Sequence, residues 1–182
     1  MHVFLLLPAE SATTCISIWE SRCRNRSVPR NYARSCRITR HDIPPRLLRL
    51  ELTETAAMDN HALTLEVLTR VRLKGFQLAI DDFGTGYSSL VQLHRLPFSE
   101  LKIDQSFVRE MANSEEARMI VGAIVSLGHS LRLKLIAEGI ETENLMQRLI
   151  AMGCEMGQGY FFSRPMPASH VSDWIAQHPP HI

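Results

Sequence analysis

With 182 residues, 45% hydrophobic and 21% charged, the chain has the size and composition of one domain with a sizeable core. A net charge of +1 is not that of a dedicated DNA or RNA binder, although nine arginines and a single acid, Asp42, fall between Arg22 and Arg49. Cys15, Cys23, Cys36 and Cys154 show no C-x-x-C spacing and the histidines no i, i+4 pair, which disfavours zinc and points to a reducing, cytoplasmic setting. The apolar run Val3 to Leu7 stops at Pro8, far short of the ~20 residues of a bilayer span. No basic region precedes it, so neither a membrane span nor a signal peptide is expected.

Residues 1–41 are rich in Arg, Ser and Cys, with no sustained period of 2 or 3.6. They are expected to form an irregular basic extension, with a strand remnant at 16–18. Residues 42–178 carry the regular pattern of the predicted domain. A strand runs from Arg46 to Thr53. Asp59 or Asn60 can cap a helix over Ala62 to Lys74, with Gly75 as its stop. Phe76 to Asp82 is the next strand, followed by a loop hinged at Gly84 and Gly86 and a short helix from Ser88 to about Arg95. Glu100 to Asp104 is a third strand. Ser114, with Glu115 and Glu116 behind it, caps a helix carrying Ile120, Ile124 and Leu127. Leu133 to Glu138 is a fourth strand, and Thr142 caps a helix ending near Met152 before Gly153. Gly157 to Phe162 is a fifth strand, and Ser169 to Gln177 a last helix. Five βα units in a row predict a parallel sheet with helical crossovers.

Strand parity separates a doubly wound sheet from a barrel. Side chains alternate between faces, so Leu48, Leu50 and Leu52 share one side and Glu51 the other. By the same count Asp81 opposes Leu78 and Ile80, Lys102 and Asp104 oppose Leu101 and Ile103, and Glu138 opposes Leu135 and Ala137. Four consecutive strands thus carry an ionisable group on one face near their carboxyl ends. A doubly wound sheet covers both faces with helices. A (β/α)₈ barrel instead turns such groups inward at its C-terminal mouth. Glu51, Asp81, Asp82 and Glu138, with Glu141 just beyond, would crowd negative charge there, and like charges about 4 Å apart cost on the order of 4 kcal/mol at intermediate dielectric. Hard divalent cations relieve this, and the number of acids suggests two of them, the arrangement that activates water against a phosphodiester. Lys102 would add a movable cation. The plainer alternatives are a turn at Asp81-Asp82, a salt bridge of Lys102 with Asp104 or a neighbouring acid, and helix-start electrostatics for Glu141.

The segments LRLELTE (48–54), LAIDDFGTGYSSL (78–90), LKIDQSFV (101–108), LIAEGIET (135–142) and QGYFFSRPMP (158–167) resemble the EAL domain family. That resemblance implies a TIM-type barrel and a bacterial signalling phosphodiesterase that linearises cyclic di-GMP to pGpG with Mg²⁺ or Mn²⁺. It implies Glu51 and Asp81 as direct metal ligands, Asp82 as a ligand of a second ion, Lys102 beside the catalytic water, and Glu138 as ligand or general base. Glu141 and Gln158 would support metal or water. Glu54 would hold the loop from Asp82 to Ser89, including Gly84, Gly86 and Ser88, which in the family connects metal, substrate and dimerisation. A homodimer and an upstream sensory domain are the implied partners. The sequence also departs from the family: Glu-Ala-Leu occurs nowhere, and Trp19 stands where the family interval places an Asn ligand. From Glu20 to Arg37 nothing resembles the family until HDIPPRLLRLELTE resumes it, the pattern an out-of-frame stretch leaves. A catalytically inactive module that binds cyclic di-GMP or a protein, and a truncated barrel without function, are the alternative expectations.

Overall fold

Apolar strand residues alternating with charged ones build a sheet whose two faces differ in kind. The structure, a computed structural model, describes residues 2–6, 13–17, 44–58, 61–86 and 90–178. Seven strands lie in sequence order: β1 (His2–Leu6), β2 (Thr13–Ser17), β3 (Leu48–Thr53), β4 (Gln77–Phe83), β5 (Glu100–Ile103), β6 (Lys134–Ala137) and β7 (Met156–Gly157). β1 is antiparallel to β2, and every later neighbour pair is parallel. The helices are α1 (Glu54–Met58), α2 (His61–Leu73), α3 (Leu90–Arg95), α4 (Gln105–Glu110), α5 (Glu115–Ser130), α6 (Glu143–Ala151) and α7 (Ala168–Gln177). This is the βα alternation of a barrel, with no pairing between β7 and β1 among the described residues.

One face of the sheet carries the main core. Leu78, Ile80, Leu101, Ile103, Leu135 and Ala137 are fully buried there against Val108, Val121, Val125, Leu145 and Leu149 from the helices. The other face holds a separate apolar contact of Ile136 with Met156 and a series of polar side chains. The parity argument is therefore met on β3 to β6. Helix ends also follow sequence chemistry. Ser114 accepts from the Ala117 amide at 3.1 Å and Thr142 from Leu145 at 3.3 Å. Gly75 and Gly153 close helices at positive φ.

Four expectations are corrected. Residues 2–6 and 13–17 are strands despite the absence of a period in this segment, and Ile16 and Ser17 pair with Leu48 and Arg49. The remnant at 16–18 is thus longer at its N-terminal side, while Trp19 and the helix caps Asp59 and Asn60 lie outside the described residues. β5 stops at Ile103, because Asp104 caps α4, accepting from the Ser106 amide at 2.9 Å. The fifth predicted strand, 157–162, shrinks to Met156–Gly157. There Gln158 still donates to the Ala137 carbonyl, but Ile140 and Phe161 then exchange bonds with the turn. A Cβ at position 159 would collide with the Ile140 backbone, so the turn requires glycine.

Candidate functional site

Asp81 and Asp82 are adjacent on one strand and would normally face opposite ways. The β4–β5 register breaks at this point: Ile80 pairs with Leu101 but Phe83 pairs with Ile103, so β4 carries one extra residue. Asp82 takes φ 54°, the left-handed region that Asp tolerates better than most residues. This bulge turns both carboxylates toward the same mouth, and the Asp82 amide donates to Asp81 Oδ1 at 3.2 Å. Oxygens of Asp81, Asp82 and Glu138 then lie within 4.8 Å of one another.

Lys102 occupies the middle of the group. Its Nζ lies 2.9 Å from Glu51 Oε2, 2.7 Å from Asp81 Oδ1 and 2.5 Å from Glu138 Oε1, joining β3, β4 and β6 through β5. Only 6% of the Lys102 side chain is exposed. Burial alone would lower the ammonium, but the carboxylates of Glu138, Glu51 and Asp81 override it and hold its pKa above the usual lysine value. Glu138 is also buried, and desolvation pushes its carboxyl up to about 7 against the pull of Lys102. Burial raises Asp82 as well, with Asp81 and Asp104 adding to the shift. Gln158 Nε2 donates to Glu138 Oε1 at 2.6 Å and orients it.

The other predicted residues take separate places. Glu54 begins α1 and is buried; its Oε2 accepts from the amides of Gly84 at 2.9 Å and Gly86 at 3.2 Å. It holds the loop and does not join the acids around Lys102. Gly84 sits at φ 101°, and a Cβ there would come within 2.9 Å of the Phe107 ring, so both backbone and space call for glycine. Ser88 lies outside the described residues. Glu141 is turned to Arg109 Nη2 at 2.8 Å, with both side chains about half exposed. Sequence reading missed Arg109; the signal available was its place one helical turn after Gln105 on a strand-to-helix segment. Lys102 makes its ion pairs with the neighbouring acids Glu51, Asp81 and Glu138, as the plainer alternative expected, while Asp104 caps α4 and also bonds the Asp82 side chain.

The donor set consists of carboxylate oxygens flanked by an amide, without thiolate or imidazole, which suits a hard divalent cation. Of the acids, Asp81, Asp82 and Glu138 would hold it, with Glu51 reached through Lys102.

The EAL domain family model matches residues 15–165. The chain is 47% identical over 139 residues to the bifunctional diguanylate cyclase/cyclic di-GMP phosphodiesterase MucR of Pseudomonas aeruginosa, covering 76% of this chain and 20% of that protein. It is 38% identical over 160 residues to the cyclic di-GMP phosphodiesterase RocR of the same organism, covering 88% and 40%. The chain therefore spans less than half the length of either relative. Among solved structures, it matches a MucR phosphodiesterase–cyclic di-GMP complex with TM-score 0.71 and 47% identity, over 74% of this chain and 54% of that one. A Klebsiella pneumoniae BlrP1 manganese/cyclic di-GMP complex matches with TM-score 0.65 and 34% identity, over 70% and 33%.

Proposed function

This chain belongs to the EAL domain family, with its TIM-barrel-type fold, and we propose that its carboxylate mouth binds cyclic di-GMP and hydrolyses one phosphodiester bond to release linear pGpG. The observation that carries the reading is the convergence of Glu51, Asp81 and Glu138 on Lys102, with Asp82 turned to the same side by the bulge. Mg²⁺ or Mn²⁺, two ions in an intact site, would lower the pKa of a bound water and offset charge on the phosphoryl oxygens. Asp81, Asp82 and Glu138, with Glu51 joined to them through Lys102, supply the anionic wall that would hold and orient such ions. Lys102 donates toward a water or a developing oxyanion from a fixed position, since three carboxylates restrain its ammonium. Glu138, with a carboxyl near 7 before metal enters and its oxygen steadied by Gln158, is suited to take the proton of the attacking water. Glu54 keeps the Gly84–Gly86 segment beside Asp82 in one conformation, and Glu141 with Arg109 borders the mouth on the β6 side.

Turnover in the 182-residue chain is proposed to be slow. The sequence has no Glu-Ala-Leu and carries Trp19 at the expected Asn position, so two oxygen donors implied by the family have no counterpart. The exposed Leu90 and Val91 on α3, directly after the glycine loop, supply an apolar face for a homodimer. No helix among the described residues is long and apolar enough to cross a membrane; cytoplasmic work beside a sensory domain is proposed from the family resemblance. Calorimetric titration with cyclic di-GMP and Mg²⁺, followed by product analysis, tests the reading. Mg²⁺-dependent binding with slow pGpG formation is expected. Binding without any product would assign a receptor, and no Mg²⁺-dependent binding would refute the site.

A further inference from the structure

One layer below the mouth, the inward face of the sheet carries a second charged pair, and we propose that Arg49 and Glu100 are positioning residues that hold Glu51 and Lys102 in register. This rests on the reading of the mouth as a metal-dependent phosphodiesterase site. Arg49 on β3 and Glu100 on β5 form an ion pair through Arg49 Nε, and each residue is only 5% exposed. Their strands are not neighbours. β4 runs between them, so the pair spans about 9.6 Å of sheet, two inter-strand spacings. The β4 residue that pairs with both Glu51 and Glu100 is Ala79, fully buried. Arg49 itself pairs with Gln77, so its side chain reaches Glu100 diagonally across β4.

Two residues farther along each strand, on the same face, stand the members of the upper pair: Glu51 after Arg49 and Lys102 after Glu100. Lys102 Nζ meets Glu51 Oε2 at 2.9 Å, so β3 and β5 are tied twice across β4. The two ties have opposite polarity. Below, β3 supplies the cation and β5 the anion; above, β5 supplies the cation and β3 the anion. A slip of one residue would turn every one of these groups to the helix-covered face. Glu51 and Glu100 stand level across Ala79, so each tie runs on the diagonal, two residues along; a slip of two would bring Glu51 and Glu100, or Arg49 and Lys102, onto that diagonal, like charges in a buried layer. Only the observed register pairs all four. Buried ion pairs add little net stability compared with apolar side chains of similar volume, and their better-attested use is to specify one arrangement. The lower pair, on this reasoning, sets the position of the metal-facing carboxylate and of the lysine that contacts it.

The test uses the full 182-residue chain with Arg49→Met/Glu100→Leu, in which no buried charge is left alone. Cooperative unfolding is expected to persist. Mn²⁺ affinity, read by titration of free Mn²⁺, is expected to weaken roughly tenfold, the scale seen when groups that orient metal ligands are removed. Lys102→Met, measured without metal, is expected to lower the thermal midpoint less in this background than in wild type, by roughly 3 °C or more. Should the apolar pair not fold, Arg49→Gln/Glu100→Gln carries the same measurements. An additive thermal cycle overturns the proposal whatever the metal affinity does. Wild-type chain that takes up no Mn²⁺ overturns the phosphodiesterase reading, and the metal-free cycle still decides the positioning role.

Discussion

Replacing Lys102 by methionine removes the one cation shared by Glu51, Asp81 and Glu138 and keeps the length of the apolar stem. The three carboxylates are 14–18% exposed, so solvent cannot take over the role of the ammonium. Removing one member of a buried ion pair costs about 3–5 kcal/mol. Part of that cost is relieved by protonation. The Glu138 carboxyl is near 7 even with Lys102 beside it, and without the ammonium it rises further. At neutral pH the variant therefore keeps a proton on Glu138, and a loss of about 2–3 kcal/mol remains, or roughly 5–10 °C for a domain of this size. An acid whose folded pKa is raised binds more protons folded than unfolded, so its stability contribution falls as pH rises from the unfolded value through the folded one. The deficit should accordingly be small near pH 5 and largest near pH 8. Thermal unfolding followed by circular dichroism in chelator would show it. Saturating Mn²⁺ at about 100 times its dissociation constant should return about 2.7 kcal/mol. A variant with an unchanged midpoint at about pH 8 without metal would refute the account, because three clustered carboxylates would then need no cation.

Three further outcomes follow from single sites. Asp81→Ala should abolish divalent-cation binding while lowering the thermal midpoint by only a few degrees, since Lys102 keeps Glu51 and Glu138; unchanged Mn²⁺ affinity would show that the bulge does not anchor the ion. Glu54→Gln should speed amide exchange at Gly84 and Gly86 by roughly tenfold, one charge-assisted bond being worth about 1.5–3 kcal/mol, and should weaken substrate more than metal. A fall in metal affinity as deep as that of Asp81→Ala would make Glu54 a ligand. Cys154, whose thiol burial pushes up to about 11, should alkylate at about pH 8 with a thiolate fraction near a thousandth; labelling in the native chain as fast as in denaturant, read by peptide mass spectrometry, would contradict its burial.

Period-2 counting made Glu51, Asp81, Lys102 and Glu138 legible as one face, because parity survives wherever a strand is regular. It could not show that Asp82 joins them. That depends on one extra residue in β4 and a left-handed Asp82, and the only hint in the sequence is the Gly84 hinge two residues on. Parity placed Asp104 on the face of Lys102, and its side chain does meet that of Asp82, although the strand already ends at Ile103 and Asp104 also caps the next helix by accepting from Ser106. β1 escaped notice, and β2 was expected only as a remnant at 16–18, because paired strands can form from five residues with little pattern once a neighbouring edge is available. β7 was overestimated because the aromatic run YFF reads as strand, while Gly159 packs against Ile140 and turns the chain. Arg49 and Glu100 were visible only as charges in apolar strands; that they meet across Ala79 is a fact of register, which single-strand patterns do not contain.

The distribution of charge along the strands explains why the site is so nearly assembled despite its missing motif. The acids and the lysine that converge stand on β3, β4 and β5 and directly after β6; Lys102 ties Glu51, Asp81 and Glu138 together, and Gln158 after β7 steadies Glu138. β2 meets β3 through Ile16 and Ser17, at the level of Leu48 and Arg49 and two residues short of Glu51. Folding of the mouth and completion of the ligand sphere are thus separate properties. The first depends on the register of β3 to β6 and is met by the ion pairs. The second depends on what stands beside Glu51 beyond Ser17, which lies outside the described residues. Catalysis depends on fixed metal geometry more than capture does, so turnover needs both properties, whereas cation binding rests chiefly on the first.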